Sequence, residues 1–255
     1  MTSRITTWFL MHAAGAGPGS LKPLAALLAS DDCVVERPPI SGSGPPSSAL
    51  DTAVEALVEA LRPHGSSARV FGHSMGGLVA VAAVLRGARP GELVLYEPIV
   101  HAALDPKDPG DADALKPDLA MHQLSRAALA AGDLAGAAEA FVDSMGAGTW
   151  ANLPREVQTQ LSAQAPELSA LAEAVSKFPV DLGALAETAP RIQILRGTRS
   201  PIFTRTIAQR VSEVLPQATL IDVEHAHHMS PVVHADRIAP FLLRATKTSI
   251  DPVRQ

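Results

Sequence analysis

The order of secondary-structure patterns along the chain is the feature that most restricts its fold. Short runs rich in β-branched and aromatic residues alternate with longer patterns rich in Ala and Leu, which is typical of a parallel sheet covered by helices. The predicted strands are Ile5–Met11, Cys33–Glu36, Arg69–Phe71, Leu93–Tyr96, Ile192–Leu195 and Thr219–Val223. The predicted helices are Leu21–Ala29, Asp51–Arg62, Met75–Arg86, Arg205–Leu215 and Ala235–Ala245. We therefore expect an α/β fold with a mainly parallel sheet flanked by helices.

The alternation is interrupted between about residues 101 and 190, where no strand pattern occurs. This segment opens with a polar stretch from Asp105 to Asp118, which we predict to be a loop, and continues with helical patterns. We expect a core formed by residues 1–100 and 190–255, with residues 101–189 inserted as a helical cap (lid) over one end of the sheet. The alternative is that the extra helices pack on a face of the sheet.

Charge, hydropathy and cysteine usage exclude several classes of protein. The formal net charge of −5 has the wrong sign for a non-specific nucleic-acid binder, so we expect no nucleic-acid partner. No apolar run approaches the roughly 20 residues that cross a bilayer, so we expect no membrane partner either. Cys33 is the single cysteine, which excludes an internal disulfide and every multi-cysteine metal site.

The apolar stretch Ile5–Met11 is compatible with a signal peptide or with a buried first strand. The stretch is short for a signal peptide, and Thr6 and Thr7 interrupt it. Because the rest of the pattern continues from a first strand, we expect a strand here and a cytoplasmic protein.

The strongest local signal for chemistry is the sequence GHSMGG at residues 72–77. It directly follows a buried-strand pattern and opens the helix predicted at Met75, which is the setting of a nucleophile on a sharp strand-to-helix turn. Side chains at Gly72 and Gly76 would collide in such a turn. The hydroxyl of Ser74 would then lie beside the helix N-terminus, whose dipole favours developing negative charge. Ser74 is the predicted nucleophile, and the alternative is a passive serine in a glycine-rich turn.

A second signal is the small-residue loop HAAGAG at residues 12–17, at the end of the first predicted strand. An acyl-transfer enzyme needs two backbone N–H groups directed at the oxyanion. The residue after the nucleophile, Met75, supplies one, and we predict that Ala13 or Ala14 supplies the other. The alternative, a phosphate-binding loop, lacks the GxGxxG pattern and the lysine of a P-loop.

A third signal is the sequence EHAHHMSP at residues 224–231, between the last predicted strand and the last helix. A serine nucleophile needs an imidazole base, and a loop at this place reaches the carboxyl edge of the sheet. Three nearby histidines also suggest metal binding. Because no second cluster of Asp, Glu or Cys at ligand spacing accompanies them, we expect no metal.

The loop of His12, the GHSMGG turn and the late histidine loop, in that order, resemble the α/β-hydrolase family over roughly residues 3–98 and 190–246. The resemblance implies an α/β-hydrolase fold, with Ser74 on the nucleophile elbow. It also implies that His228, which precedes the sequence MSP, is the base rather than His227. The usual antiparallel strands before the oxyanion loop are expected to be absent.

The acid of the triad departs from the usual family pattern. Most relatives place an aspartate after the penultimate strand, and that position here is Ser200. Some relatives place the acid one strand earlier, where this chain has Glu97. A carboxylate at the end of a strand is costly unless it has a partner. We therefore predict Glu97 as the acid; the alternatives are Asp222 and Glu224, and a capping or salt-bridge role for Glu97 is the non-catalytic interpretation.

Together these residues predict a serine hydrolase that cleaves an ester, lactone or thioester through a Ser-His-Glu triad and an acyl-enzyme, without a cofactor. Apolar residues of the insertion predict a small hydrophobic substrate, unless they only pack the cap helices. The residues expected to contact the substrate are His12, His73, Phe141, Met145 and Trp150.

Three other functions are compatible with the same residues. The segments HAA and FGHSMG also resemble type II thioesterases, which would imply an acyl carrier protein as partner. Cofactor-free C–C cleavage or a lyase reaction uses a similar oxyanion hole. Ser200 at the usual acid position is compatible with a non-catalytic hydrolase-like binding protein, whereas Ser74 and His228 argue against one.

Overall fold

The computed structural model of the protein describes residues 5–30, 32–40, 45–146, 149–188 and 190–247. The outermost residues of the predicted core, 1–4 and 248–255, lie outside this range. Six strands of the described chain form one sheet with the order β2-β1-β3-β4-β5-β6, and every pair of neighbours is parallel. The strands are β1 Thr6–Met11, β2 Cys33–Glu36, β3 Ala68–His73, β4 Glu92–Tyr96, β5 Arg191–Gly197 and β6 Ala218–Val223. The predicted α/β-hydrolase architecture is confirmed.

Ten helices accompany the sheet in the described residues. Before the insertion they are α1 Lys22–Leu28, α2 Pro46–Leu61 and α3 Met75–Leu85. Between β4 and β5 they are α4 Pro109–Ala130, α5 Leu134–Ser144, α6 Arg155–Ser176 and α7 Leu182–Thr188. After β5 they are α8 Ile202–Val214, α9 Ser230–Val233 and α10 Ala235–Lys247. No described helix is both long enough and apolar enough to span a bilayer.

The two faces of the sheet are buried under different helices. Successive side chains of a strand point to opposite faces, so Phe9 and Met11 of β1 belong to one apolar cluster and Trp8 and Leu10 to the other. The first cluster includes residues of α2, α3, α7 and α8, and the second includes residues of α1 and α10. Burial on both faces explains why the central strands are continuously apolar in the sequence.

The segment between β4 and β5 divides into two parts. Helices α4, α5 and α6 contact one another and share a small cluster of Ala137, Ala138 and Ala165. Helix α7, which lies inside the predicted cap range 101–189, instead contacts α3 and α8 on the sheet, and its Leu185 is fully buried there. We therefore use the name "inserted helices" for α4–α6 alone.

Helix α4 corrects the prediction of a loop from Asp105 to Asp118, because it begins at Pro109. The Asp108 carboxylate accepts hydrogen bonds from the N–H groups of Gly110 and Asp111, and the proline occupies the first turn, where its missing N–H is not needed. The polar composition of this stretch therefore belongs to a capped helix start with a solvated face.

Candidate active site

Ser74 occupies the turn between β3 and α3, at the carboxyl edge of the sheet. Its φ of 57° and ψ of −119° lie in a region that residues other than glycine rarely adopt. The backbone holds this conformation at both ends, since the Ser74 N–H donates to the carbonyl of Tyr96 at 3.0 Å and the Ser74 carbonyl accepts from Ile99 at 3.2 Å. The Ser74 hydroxyl therefore lies on a strained turn that backbone hydrogen bonds hold in place, as a nucleophile elbow requires.

Two glycines of the turn are required by close backbone approaches. A Cβ on Gly72 would lie 2.6 Å from the Cα of Gly77, and a Cβ on Gly76 would lie 2.2 Å from the carbonyl oxygen of Met11. The second contact shows that the end of β1 presses against the first turn of α3. The loop that follows β1 is therefore held beside Ser74.

That loop and the start of α3 both contribute residues to the cavity that Ser74 lines. Within the described residues, no carbonyl accepts a backbone hydrogen bond from Met75, Ala13 or Ala14, and all three residues line one cavity with Ser74. These N–H groups are therefore available to stabilise an oxyanion, with Ala13 and Ala14 as the two candidates in the loop after β1.

His12 holds this loop rather than facing the cavity. Its Nδ1 lies 2.8 Å from the carbonyl oxygen of Ala13, and its Nε2 accepts from the Ile40 N–H at 3.1 Å. These partners require a neutral ring with the proton on Nδ1. Burial lowers the pKa of His12 and so favours that neutral form.

His228 lies in the loop after β6 and its ring is bonded to Glu97. The Nδ1 of His228 donates to Oε2 of Glu97 at 2.7 Å, and both side chains are almost completely buried. Because this bond uses Nδ1, Nε2 is the nitrogen left to exchange a proton with a serine hydroxyl. The predicted pair of base and acid is brought together by two loops 131 residues apart in sequence.

Two side chains beneath the histidine loop hold its carbonyls. His73 donates from Nε2 to the carbonyl of His228 at 2.8 Å, and the Tyr96 hydroxyl donates to the carbonyl of His227 at 2.9 Å. Complete burial lowers the pKa of His73 well below its ordinary value, so the ring is neutral. Burial, with the nearby Glu97 carboxylate, raises the pKa of Tyr96, so its hydroxyl keeps the proton that it donates.

Glu97 directly follows β4 and has a φ of 45°, again uncommon for a residue with a side chain. Its Oε1 accepts from the N–H of Gly197 at 2.7 Å, so both carboxylate oxygens are hydrogen-bonded. Burial raises the pKa of Glu97, but the hydrogen bond from His228 and the donor at Gly197 outweigh it and hold the pKa below its ordinary value. The carboxylate is therefore ionised at neutral pH.

The alternative acids lie elsewhere. Asp222 is bonded to Arg196 at 2.6 Å, and Glu224 is exposed. Ser200 is buried close to Glu97, where it helps to lower the pKa of that carboxyl, but its hydroxyl has no partner in hydrogen-bond geometry within the described chain.

Ser74 and His228 line the same cavity, which has a volume of about 460 Å³. No hydrogen bond joins the Ser74 hydroxyl to the His228 ring in the described structure. Catalytic hydrogen bonds of this kind commonly form or shorten when a substrate binds.

The cavity is enclosed between the sheet edge and the inserted helices. Phe141 and Met145, two of the residues expected to contact substrate, lie in its wall. His12, His73 and Trp150 are not among the described residues that line it, which corrects their predicted substrate contacts. The two histidines are engaged with the loops beneath the site, and Trp150 packs against the alanine cluster between α5 and α6.

A metal centre finds no support in the geometry of the described chain. Within it, no three His, Cys, Asp or Glu side chains lie close enough together to hold a metal ion. In the histidine loop, His227 stacks edge-on against His234 with ring centroids 5.7 Å apart, whereas His228 faces Glu97.

The chain matches a known protein family over most of its length. Residues 8–241 match the family model described as the alpha/beta hydrolase family. The chain belongs to the alpha/beta hydrolase family. A search of the curated proteins found no match.

Solved structures of this fold align with nearly the whole chain at low identity. An alpha/beta hydrolase from Sphaerobacter thermophilus is 23% identical with a TM-score of 0.61, covering 94% of this chain and 91% of that one. MenH from S. aureus is 17% identical with a TM-score of 0.66, covering 96% and 95%. An esterase from Exiguobacterium antarcticum is 14% identical with a TM-score of 0.70, covering 95% and 92%. At these identities the likeness shows the shared fold alone.

Some residues of this alpha/beta hydrolase site were not predicted from the sequence. The anchoring roles of His73 and Tyr96 depend on carbonyls that are more than a hundred residues away, and no local pattern reports such bonds. Asp118 also lines the cavity, although it lies in the stretch predicted as a loop. Its spacing of four residues from His122, which places both on one face of a helix, was an available signal.

Proposed function

We propose that the protein is a serine hydrolase that cleaves a carboxylic ester of a small hydrophobic substrate through an acyl-enzyme. The observation that carries this proposal is the buried bond of 2.7 Å between His228 and Glu97, in a cavity that also holds the hydroxyl of the strained Ser74. A buried imidazole oriented by an ionised carboxylate next to a serine is the arrangement that activates a nucleophile.

In the first half of the reaction, Nε2 of His228 takes the proton of the Ser74 hydroxyl as Oγ bonds to the ester carbonyl carbon. The carbonyl oxygen becomes an oxyanion, which accepts hydrogen bonds from the N–H of Met75 and from Ala13 or Ala14. The bond between carbon and the alcohol oxygen then breaks, and His228 returns its proton to the leaving alcohol. Throughout, Glu97 holds Nδ1–H and stabilises the imidazolium.

In the second half, a water molecule takes the place of the alcohol. His228 accepts one proton from that water as its oxygen bonds to the acyl carbon, and the oxyanion forms again in the same hole. When the bond to Ser74 breaks, the proton on His228 passes to Oγ. The products are a carboxylic acid, an alcohol and the original enzyme, so no cofactor is needed.

The preference for a hydrophobic substrate is supported by the wall of the cavity. Aromatic and aliphatic side chains such as Phe141, Met145 and Phe203 form most of it, and burying apolar surface there contributes about 25 cal/mol per Å². A family member of similar structure is named an esterase, which agrees with this substrate class. We place the reaction in the cytoplasm.

A thioester or a lactone would follow the same two steps. In a thioester the leaving atom is sulfur, and in a lactone the leaving oxygen stays attached to the acyl group. A carrier-bound thioester would add an acyl carrier protein as partner. C–C cleavage and a non-catalytic binding role are the other outcomes that an experiment must separate.

The decisive experiment combines a covalent probe with a substrate panel. A fluorophosphonate should label the wild-type protein, with the modified peptide mapping to Ser74, and Ser74→Ala should abolish both labelling and turnover. Ser162→Ala, a half-buried serine on α6 outside the cavity, is the matched control and should keep both. Turnover of p-nitrophenyl esters above acyl thioesters supports the esterase, and the reverse order supports the thioesterase. Unchanged labelling of Ser74→Ala, or no labelling of the wild type, would overturn the proposal.

A further inference from the structure

A buried polar cluster lies in the wall of the cavity, away from the triad. It consists of His101, in the short 3-10 turn His101–Ala103 after β4, with Asp118 and His122 of α4. Nε2 of His101 lies 3.1 Å from Oδ2 of Asp118, and Nε2 of His122 lies 3.6 Å from the same oxygen. His101 and Asp118 both line the cavity.

Asp118 is unusual among the groups that face the cavity. Of the described residues in its wall, Asp118 is the only carboxylate, and none is Lys or Arg. The residue is 6% exposed, and a carboxylate in such surroundings is costly unless its oxygens accept several hydrogen bonds.

The described chain supplies Asp118 with fewer donors than a buried carboxylate needs. Within it, the only hydrogen bond to this carboxylate comes from His101, since the His122 nitrogen is too distant. Burial lowers the pKa of His122 more than the Asp118 charge raises it, so that ring is neutral and does not balance the carboxylate. Asp118 therefore retains the capacity to accept a hydrogen bond from the cavity side.

The position of the cluster relative to the triad follows from the sheet order. β1 and β4 flank β3, so the oxyanion loop after β1 and His101 after β4 lie on opposite sides of Ser74. The ring of His101 contacts Phe203, with centroids 5.2 Å apart, and Phe203 also lines the cavity. A substrate whose carbonyl faces the oxyanion loop therefore has room to extend along this apolar wall toward Asp118.

We propose that Asp118, oriented by His101, is a specificity site that accepts a hydrogen bond from a hydroxyl or amino group of the substrate, remote from the scissile carbonyl. The preferred substrate then has an apolar body with a hydrogen-bond donor at the end away from the ester. This inference rests on the proposed hydrolase function. A cluster that only ties α4 to the loop after β4 would give no such preference.

The test compares substrates that differ only at the remote end. The acyl chains of p-nitrophenyl esters should end in a hydroxyl, an amino or a methyl group, at several matched lengths, and a second series should place the hydroxyl on the alcohol as a diol monoester. At one length, wild-type kcat/KM should favour a donor over methyl by about 10- to 100-fold, because an unpaired buried acceptor costs the methyl analogue. Equal kcat/KM at every length in both series would overturn the inference.

Variants of Asp118 assign the preference to this residue. Asp118→Leu removes the acceptor and should abolish or invert the preference for the donor, whereas Asp118→Asn keeps an acceptor oxygen and should retain a preference for hydroxyl but not for a charged amine. Asp113→Asn, on the exposed side of the same helix, is the matched control and should leave the preference unchanged. A preference that survives intact in both Asp118 variants would overturn the inference.

A binding measurement separates this inference from the hydrolase proposal. In the Ser74→Ala background, alkanediols should raise Tm more than alkanols of equal length, and adding Asp118→Leu, or Asp118→Ala if the former does not fold, should reduce that difference. Ester turnover without any dependence on Asp118 would overturn the specificity site and leave the hydrolase intact. Diol binding that depends on Asp118, in a protein that hydrolyses no ester, would overturn the hydrolase proposal and leave the Asp118 binding site intact.

Discussion

Strand β4 carries a buried glutamate at each of its ends, and the two differ in their partners, in their backbone conformation and in the edge of the sheet at which they lie. Glu92 opens the strand, is 2% exposed and binds Arg191 at 2.7 Å, Gln193 at 2.7 Å, and Arg69. Glu97 follows the strand, is fully buried and binds His228 and a backbone N–H. The first lies at the amino edge of the sheet and the second at the carboxyl edge.

The comparison shows how the partner decides the role of a buried carboxylate. Guanidinium groups keep their protons at all relevant pH values, so the cluster around Glu92 can only hold β3, β4 and β5 together. The imidazole bonded to Glu97 has a second ring nitrogen that can accept and release a proton, so this pair can take part in proton transfer. The backbone agrees, because only the Glu97 end has an unusual positive φ.

Removing the partner of Glu97 is expected to have the largest effect on turnover. His228→Ala should lower kcat by about 10⁴-fold, because no other group takes the proton of Ser74. His227→Ala, one residue away, should change kcat by less than about tenfold. Ester hydrolysis at saturating substrate measures both, and similar mild losses in the two variants would contradict the assignment of the base.

Neutralising Glu97, the acid of the triad, should have the next largest effect on turnover. Glu97→Gln should lower kcat by about 10³-fold with little change in KM, since it no longer fixes the His228 tautomer or stabilises the imidazolium. Ser200→Asp should restore part of this loss in the Glu97→Gln background, because Ser200 lies beside Glu97, but should not raise wild-type activity. Wild-type kcat in Glu97→Gln would show that Glu97 is structural.

Replacing a glutamate by glutamine at the other end of β4, at Glu92, should lower stability rather than turnover. Glu92→Gln leaves buried positive charge uncompensated and should lower the free energy of unfolding by about 3 kcal/mol. Once corrected for the folded fraction, its kcat should stay near the wild-type value. Urea unfolding followed by circular dichroism gives the stability, and a loss of kcat without a loss of stability would reverse the roles of the two ends.

The smallest expected effect is a pH dependence at Glu97. Its pKa is lower in the folded protein than its ordinary value of 4.5, so its charge adds stability above pH 4.5 that is lost as the pH falls through the folded pKa. The difference in Tm between wild type and Glu97→Gln should narrow as the pH falls below 4.5. Ser162→Ala, which removes no titratable group, should show no such narrowing. A difference that widens in acid would contradict the assigned direction of the pKa.

The carboxyl edge of the core could be predicted from the sequence because its signals are local. The turn around Ser74 must combine small residues with a strand and a helix, and parallel strands place the residues that follow them at one edge. The resemblance of the motifs to the α/β-hydrolase family then implied which loops meet, including those of Glu97 and His228. Ser74, Met75 and His228 line one cavity, and Glu97 is hydrogen-bonded to His228.

The inserted helices could not be predicted to the same depth, because their contacts depend on packing between distant segments. Polar residues near Asp118 resembled a loop, although Asp108 and Pro109 form a helix start among them. Trp150 is apolar enough to contact a substrate, yet it packs between α5 and α6. Composition reports that such residues prefer burial, and only the tertiary structure decides between core and cavity.

The difference between Glu97 and Glu92 is tested most directly by the rate at which a fluorophosphonate labels Ser74. The second-order rate constant should be measured for wild type, Glu97→Gln and Glu92→Gln, each scaled to its folded fraction. We expect this rate constant to fall by about 100-fold or more for Glu97→Gln and to change within about threefold for Glu92→Gln, because only Glu97 acts on Ser74 through His228. Equal rate constants for the two variants would contradict it.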